Sequence, residues 1–173
     1  MMILETPRLM LRRLTEEDEE NLRRTLQDGE AMVAYEGAFS DEEVRAWLRR
    51  QLERYEEYGF GLWAVILKET GEFIGQCGVT MQPVEGELLP EVGYLFERAH
   101  WHHGYATEAA RACRDYAFDA LGFEAVYSVI RETNLASQGV AKRNGMEVCA
   151  RFVKHYRGVD MPHLLFRVKR AMP

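Results

Sequence analysis

The chain has 173 residues, of which 47% are apolar and 29% are charged, a composition typical of a globular domain and not of a disordered chain. The formal net charge of -6 argues against broad nucleic-acid binding, and no apolar stretch reaches membrane-spanning length. The opening MMILETPRLMLRRL lacks the uninterrupted apolar run of a secretory signal. We expect a single cytoplasmic domain over 1–173, with neither nucleic acid nor membrane as partner.

The N-terminal part predicts one strand and two helices. Apolar and polar residues alternate in RLMLRRL, 8–14, as in a strand. In TEEDEENLRRTLQDG, Thr15 is a candidate N-cap, acidic residues occupy the first turn and Gly29 stops the helix. In SDEEVRAWLRRQLERYEEYG, Ser40 and Glu43 form a possible capping box. The apolar face of this second helix either packs in the core or, with the preceding loop YEGAF, walls a substrate pocket.

Strands dominate the middle of the chain. The segments GLWAVILK, EFIGQCGVTMQPV and LLPEVGYLF predict three strands separated by the turns ETG and EGE. Gly75 and Gly78 interrupt the second of these strands and predict bulges or close backbone approach. A helix with one face of small residues follows, from Ala106 to Leu121, and Gly122 ends it.

The C-terminal part predicts the strand FEAVYSVI, the short helix NLASQGVAKRNG and the strands MEVCARFVKHY and MPHLLFRVKR, joined by the turn RGVD. The complete order is β-α-α-β-β-β-α-β-α-β-β. This order predicts an α+β fold with a mixed central sheet of about seven strands and about four helices.

The step from strand to helix at WHHGYATEAARA has the features of an anion site. Gly104 and Ala106 let backbone N–H groups approach a ligand, and a helix N-terminus offers unpaired N–H groups and partial positive charge. Local physics alone favours a tightly packed turn over a phosphate site. The P-loop and the dinucleotide-binding glycine motif are both absent from the sequence.

The segment EVGYLFERAHWHHGYATEAARA resembles the cofactor-binding motif of the GCN5-related N-acetyltransferases, most closely the branch of the ribosomal-protein alanine N-acetyltransferases. The family's Q/R-x-x-G-x-G/A loop corresponds to 101–106, with Trp101 departing from Gln or Arg. ETPRLMLRRLTEED, GLWAVILKETGEFIGQCGV and NLASQGVAKRNGM resemble further segments of the family in the same order. The resemblance therefore covers nearly the whole chain.

This resemblance implies an enzyme that transfers an acetyl group from acetyl-CoA to a primary amine by direct attack in a ternary complex. The helix would face the pyrophosphate of coenzyme A, and strand main chain would bind the pantetheine arm as an added strand does. The residues implied in cofactor binding are Leu95, Phe96, His103, Gly104, Tyr105, Ala106, Thr107, Asn134 and Ser137.

Two residues are candidates for moving protons. Glu91 lies among apolar neighbours that would raise its pKa, and similar enzymes have a suspected glutamate base near this position. The alternatives are a solvated carboxylate there, or Glu87 as the base. Ser137 holds the N-x-x-S position, where the resemblance places a hydroxyl near the thiol sulfur; helix capping or simple cofactor contact explains it equally well.

Several questions stay open at this level. The acceptor is either a protein N-terminus or a small amine, and the acidic net charge weakly favours a cationic one. Residues of the last hairpin either line the acceptor pocket or pack at the surface: His155, Tyr156, Arg157 and His163. A non-catalytic acyl-CoA sensor and an oligomeric scaffold are the competing functions, and a homodimer through the hairpin edge is plausible.

Neither the cysteines nor the histidines of 100–103 are predicted to have a catalytic or metal-binding role. Cys77, Cys113 and Cys149 form no Cys-x-x-Cys pair, so we expect buried hydrophobes in a reducing compartment, without disulfides or zinc. The histidines of 100–103 have no partner set with ligand spacing, so we expect no metal site and place them in solvent or at the cofactor's edge.

Overall fold

Residues 1–172, which the computed structural model describes, form eight strands and four helices. They are β1 Met2–Glu5, β2 Leu9–Arg13, α1 Glu19–Leu26, α2 Asp41–Tyr58, β3 Leu62–Leu67, β4 Phe73–Val84, β5 Glu87–Phe96, α3 Tyr105–Asp119, β6 Ala125–Arg131, α4 Leu135–Arg143, β7 Glu147–Tyr156 and β8 Val159–Lys169. The predicted α+β fold is confirmed. The sheet has one strand more than predicted, because β1 has only four residues and is too short to show an alternating pattern.

The eight strands form one mixed sheet in the order β1-β2-β3-β4-β5-β6-β8-β7. Within residues 1–172, neighbouring strands are antiparallel except β5 and β6, which are parallel. Parallel neighbours need a crossover connection, and α3 makes this crossover while packing on β4 and β5. No helix of this part of the chain is long and apolar enough to cross a membrane.

The sequence predicts the caps of α2 correctly, whereas Thr15, the predicted N-cap of the first helix, begins a 3-10 turn and the N-cap of α1 is Asp18. At α2, Glu43 N–H donates to Ser40 Oγ at 3.2 Å, and Ser40 N–H donates to the Glu43 carboxylate at 3.0 Å, which confirms the capping box. Gly59 ends α2 with a positive φ of 81°. A 3-10 turn over Glu16–Asp18 precedes α1, which ends at Leu26 and so stops short of the predicted Gly29.

The core lies between the sheet and the helices. The small face of α3 is buried through Ala109, Ala110, Cys113 and Ala117. Cys77 and Cys113 are buried free thiols with their sulfur atoms 3.6 Å apart. Cys149 is exposed, so its predicted burial is wrong, because it lies on the edge strand β7, most of whose residues face solvent.

Close backbone contact explains the two glycines of β4. A Cβ added at Gly75 would lie 2.5 Å from the carbonyl oxygen of Leu95, and one at Gly78 would lie 2.0 Å from that of Gly61. The pairing of β3 and β4 also shifts register between Val65 and Ile66. Both predicted reasons for these glycines, close approach and a bulge, are therefore found in this strand.

Candidate active site

A gap between β5 and β6 forms the centre of the site. Their pairing holds a single ladder position within residues 1–172, Glu91 opposite Tyr127. The Ser128 hydroxyl donates to the Val92 carbonyl oxygen at 2.7 Å and satisfies one backbone group that the ladder leaves open. Beyond this point the strands line a cavity of about 840 Å³, which offers the edge of β5 to a ligand.

The N-terminus of α3 reaches the same cavity. Gly104 is the N-cap residue with φ of +79°, a conformation that glycine adopts without steric cost. Tyr105, Ala106 and Thr107 follow in the first turn and line the wall with it. The α3 start thus brings unpaired backbone N–H groups and the positive end of a 15-residue helix to the cavity.

The acidic residue in the first turn of α3 is paired with residues from another part of the chain. Glu108 accepts hydrogen bonds from the Thr6 hydroxyl, the Arg8 N–H and Arg8 Nε, the last at 2.8 Å. Arg8 and Thr6 hold the pKa of Glu108 below its ordinary value, although its partial burial acts in the opposite direction. The carboxylate therefore does not cancel the positive field of the helix start.

Two arginines that sequence reasoning missed flank this helix start. Arg8 Nη1 donates to the His103 carbonyl oxygen at 2.8 Å, and its guanidinium lies 4.5 Å from the centroid of the Tyr105 ring. Arg143, at the end of α4, lines the cavity and donates from Nε to Thr107 Oγ1 at 3.0 Å. No local sequence pattern predicts a role for either residue, because each lies in a segment that is remote in sequence from the groups it contacts.

Most of the predicted cofactor-binding residues lie together on the cavity wall: Leu95, Phe96, Gly104, Tyr105, Ala106, Thr107, Asn134 and Ser137. His103 does not line the cavity. Trp101 holds the motif position of Gln or Arg, and its indole N–H donates to the Phe96 carbonyl oxygen at 2.9 Å. This bond occupies one of the two lone pairs of the Phe96 carbonyl oxygen and ties the loop of 101–106 to the end of β5.

The start of α4 is held from two directions. Asn134 is its N-cap and accepts from the Ser137 N–H at 3.2 Å, so Asn134, and not Ser137, supplies the cap. The Tyr94 hydroxyl, also missed from sequence, donates to the Ser137 carbonyl oxygen at 2.9 Å. These bonds anchor the backbone of Ser137 while its half-buried side chain lines the cavity.

Glu91 lies where the two central strands separate. Its side chain is half-buried because it faces the cavity, and its Oε2 accepts from the Val129 N–H at 2.5 Å. Burial raises the pKa of Glu91 to about 7, against the opposing effects of this hydrogen bond and of the positive charges of Lys154 and Arg54. Glu87, the other candidate base, is exposed and does not line the cavity.

The far end of the cavity is built from α2, the loop before it and the last hairpin. Tyr35 of the loop and Trp47 of α2 line it, as the pocket interpretation of these segments predicts. From the hairpin, His155, Tyr156 and His163 reach the wall, whereas Arg157 does not line the cavity and instead pairs with Glu43 of α2. Three of the four hairpin residues thus line the cavity.

Comparison with known proteins agrees with this architecture. Residues 8–147 match the acetyltransferase (GNAT) domain family. The uncharacterized protein YkkB of Bacillus subtilis (strain 168) is 40% identical over 144 residues, 83% of this chain and 84% of its own length. The uncharacterized N-acetyltransferase YoaA of the same organism is 29% identical over 147 residues, 84% and 82% of the two chains.

A solved structure matches the fold at low sequence identity. RimL, a ribosomal L7/L12 alpha-N-protein acetyltransferase in complex with coenzyme A, is 16% identical, with a TM-score of 0.80 over 98% of each chain. At this identity the match shows the fold alone, whereas the domain match spans most of the chain. The chain belongs to the GNAT family and is an N-acetyltransferase.

Proposed function

We propose that this N-acetyltransferase takes its acetyl group from acetyl-CoA and transfers it directly to a primary amine in a ternary complex. The observation that carries the proposal is the position of Glu91. This half-buried carboxyl lies at the point where β5 and β6 part, in the same cavity as the N-terminus of α3. A carboxyl whose pKa is about 7 suits proton removal from an amine near neutral pH.

The residues at the α3 start fit the pyrophosphate of coenzyme A. Gly104 has a positive φ that glycine adopts without steric cost, and the first-turn residues Tyr105, Ala106 and Thr107 line the cavity, where the free N–H groups of a helix start suit a phosphate. Arg143 adds a positive charge beside Thr107, and the salt bridge of Arg8 neutralises Glu108. The coenzyme A held by RimL, which has the same fold, agrees with this assignment.

The pantetheine arm would lie along the unpaired edge of β5, between it and α4. Leu95 would offer main-chain groups there, and Asn134 would contact the arm with the part of its amide that does not cap α4. Bound in this way, coenzyme A supplies an activated acetyl thioester. The His103 carbonyl faces Arg8, so His103 would contribute only its backbone N–H.

The chain's own groups account for the proton movements. Glu91 takes a proton from the acceptor ammonium, directly or through water, and frees the nitrogen lone pair for attack. As the carbon–nitrogen bond forms and the carbon–sulfur bond breaks, a hydrogen bond from the Ser137 hydroxyl stabilises negative charge on sulfur. The two backbone bonds to Ser137 hold this hydroxyl at the cavity.

The experiment that tests the proposal measures thiol release from acetyl-CoA with a panel of small amines and N-terminal peptides. Coenzyme A binding is measured in parallel by calorimetry. We expect amine-dependent thiol release, formation of the acetylated amine by mass spectrometry, and saturable coenzyme A binding.

Two outcomes contradict the proposal. Coenzyme A binding without turnover of any amine would favour the sensor function, and absence of coenzyme A binding by the folded protein would remove the cofactor assignment.

A further inference from the structure

The end of the cavity remote from α3 carries an excess of positive charge. We call it the acceptor end and define it by the lining residues Tyr35, Arg50, Arg54, Glu91, Lys154 and Tyr156. It places three cations against one carboxylate, in a protein whose net charge is -6. Two further charged residues on the wall are already paired, Arg131 with Glu36 at 2.5 Å and Glu30 with Arg98 at 2.9 Å.

Arg54 is poorly compensated by the protein. Its side chain is half-buried, and within residues 1–172 its one hydrogen-bond acceptor is Gln51 Oε1, 3.1 Å from Nη1. Its Nε is buried without a partner in that part of the chain, and no carboxylate there lies within 4.0 Å of the guanidinium. Since a desolvated guanidinium is costly unless paired, Arg54 has room for an anion in direct contact with it.

The neighbouring cations bring no acidic partner close to Arg54 either. Lys154 is exposed and has no acidic partner within 4.0 Å among residues 1–172, and Arg50 reaches only Glu53, at 3.9 Å. Burial and the charge of Arg50 lower the pKa of Arg54, and the more distant charge of Glu91 only partly opposes them. An acceptor with an anionic group can place that group against these cations while its ammonium faces Glu91.

Contacts between the walls bound the acceptor end. Tyr35 packs edge-on against Trp47, with ring centroids 5.9 Å apart, and against Tyr156 at 6.3 Å. At the hairpin tip, Arg157 pairs with Glu43 of α2. These contacts tie the last hairpin to the loop and to α2, so the acceptor end suits a small molecule better than an extended polypeptide.

From this geometry we propose that Arg54, assisted by Lys154, binds an oxyanion carried by the acceptor amine. The acceptor class is then a small amine with a carboxylate, as in a free amino acid, or with a phosphate, as in an aminoalkyl phosphate. Gln51 positions Arg54, because its buried Oε1 accepts from Arg54 and also from the Leu62 N–H at 3.3 Å. This inference rests on the proposed function and differs from the cationic acceptor that net charge alone favours.

The test compares matched acceptors in the thiol-release assay. Free amino acids are paired with their amides, and aminoalkyl phosphates with their parent amino alcohols, so that each pair differs in the anion. We expect kcat/KM to be at least about tenfold higher for the anionic member of the pair that is turned over. The two kinds of pair distinguish a carboxylate from a phosphate as the recognised group.

Variants assign the preference to Arg54. Arg54→Gln should reduce the anionic preference by about 10- to 100-fold, mainly through KM, as expected for loss of a charge-assisted contact. Arg54→Lys should restore part of it. Arg49→Gln is the matched control, since Arg49 is an exposed arginine of the same helix outside the cavity, and it should keep the wild-type preference.

Three results would overturn the inference. These are an equal or higher kcat/KM for the neutral members, a preference for neutral N-terminal peptides, and an equal loss for both members of a pair in Arg54→Gln. If no amine is turned over while coenzyme A still binds, the proposed function fails separately. Calorimetry of N-acetylated amino acids and aminoalkyl phosphates with the coenzyme A complex then decides: binding abolished by Arg54→Gln supports the inference, and absence of wild-type binding refutes it.

Discussion

The two ends of the cavity hold their positive charge in different ways. At the α3 start, Arg8 pairs with Glu108 and Arg143 donates to Thr107, so the cations are already placed around the helix N-terminus. At the acceptor end, Arg54 has only the neutral Gln51 as its acceptor within residues 1–172. A preorganised end suits a constant ligand such as the cofactor, and a cation without an anion in direct contact suits a substrate that supplies one.

The largest effect is expected at the carboxyl group that lies where β5 and β6 separate. Glu91→Gln should lower kcat/KM at pH 7 by about 10²- to 10⁴-fold, because amide cannot accept the proton of the attacking amine. The wild-type rate should rise with pH through about 7, the pKa to which burial raises Glu91. The variant should recover partly at high pH, where the amine is already free. The pH dependence of thiol release measures both effects.

The matched control for this variant is Glu87→Gln, at an exposed position on the same strand and outside the cavity. It should keep wild-type turnover, and both variants should bind coenzyme A as tightly as the wild type. A wild-type pH profile for Glu91→Gln would exclude Glu91 as the base, and a large loss in Glu87→Gln would move that role to Glu87.

The next largest effect is expected on coenzyme A binding at the α3 start, the preorganised end of the cavity. Gly104→Glu should weaken coenzyme A binding by about 100-fold, because it places a negative charge and a strained φ of +79° where the phosphates should bind. Gly122→Glu is the matched control, with a φ of +76°, open space around it and a position outside the cavity. Calorimetry should show near wild-type affinity for that control. Equal affinities in the two folded variants would remove the pyrophosphate assignment.

A smaller effect concerns the stability cost of the central carboxylate. Since folding raises the pKa of Glu91 from 4.5 to about 7, its protonated form favours the folded state, and this stabilisation is present below about pH 4.5 and is lost as pH rises through 7. Gln does not titrate. Between pH 4.5 and 8, Glu91→Gln should therefore gain about 2 kcal/mol in unfolding free energy relative to the wild type, with partial exposure reducing the effect.

Denaturant unfolding of both proteins at several pH values measures this difference. Glu87→Gln again provides the comparison on the same strand. A gap between Glu91→Gln and the wild type that stays constant with pH would mean that burial of Glu91 imposes no such cost.

Sequence reasoning succeeded where a feature is local. The capping box of Ser40 and Glu43, and the start of α3 within one residue of the predicted Ala106, each involve residues within a few positions of one another. The side chains that complete the site come from remote segments: Arg8 reaches Glu108 across 100 positions, and the Tyr94 hydroxyl reaches Ser137 across 43. Only tertiary packing brings such pairs together, so neither periodicity nor residue spacing in the sequence predicts these contacts.

The same argument explains the acceptor end. Arg54 lies at the border of the apolar face of α2, three positions after Gln51, where helical periodicity alone does not distinguish a wall residue from a solvent-facing one. It becomes a wall residue because the last hairpin and the loop at Tyr35 close around it. The departure of Trp101 from the usual motif was visible in the sequence, but its bond to the Phe96 carbonyl required the structure.

The smallest effect tests whether the preorganised end acts through charge as well as backbone. Arg143→Gln should weaken coenzyme A binding by about fivefold and reduce its salt dependence, since the guanidinium beside Thr107 is exposed and screened. Lys142→Gln, an exposed cation on the same helix outside the cavity, should change neither. Calorimetry at low and high salt makes the comparison. If Arg143→Gln binds coenzyme A as tightly as Lys142→Gln does at low salt, the helix N-terminus alone holds the pyrophosphate. The two ends of the cavity would then differ in the groups that bind the ligand, backbone N–H groups at the α3 start and a side chain at the acceptor end.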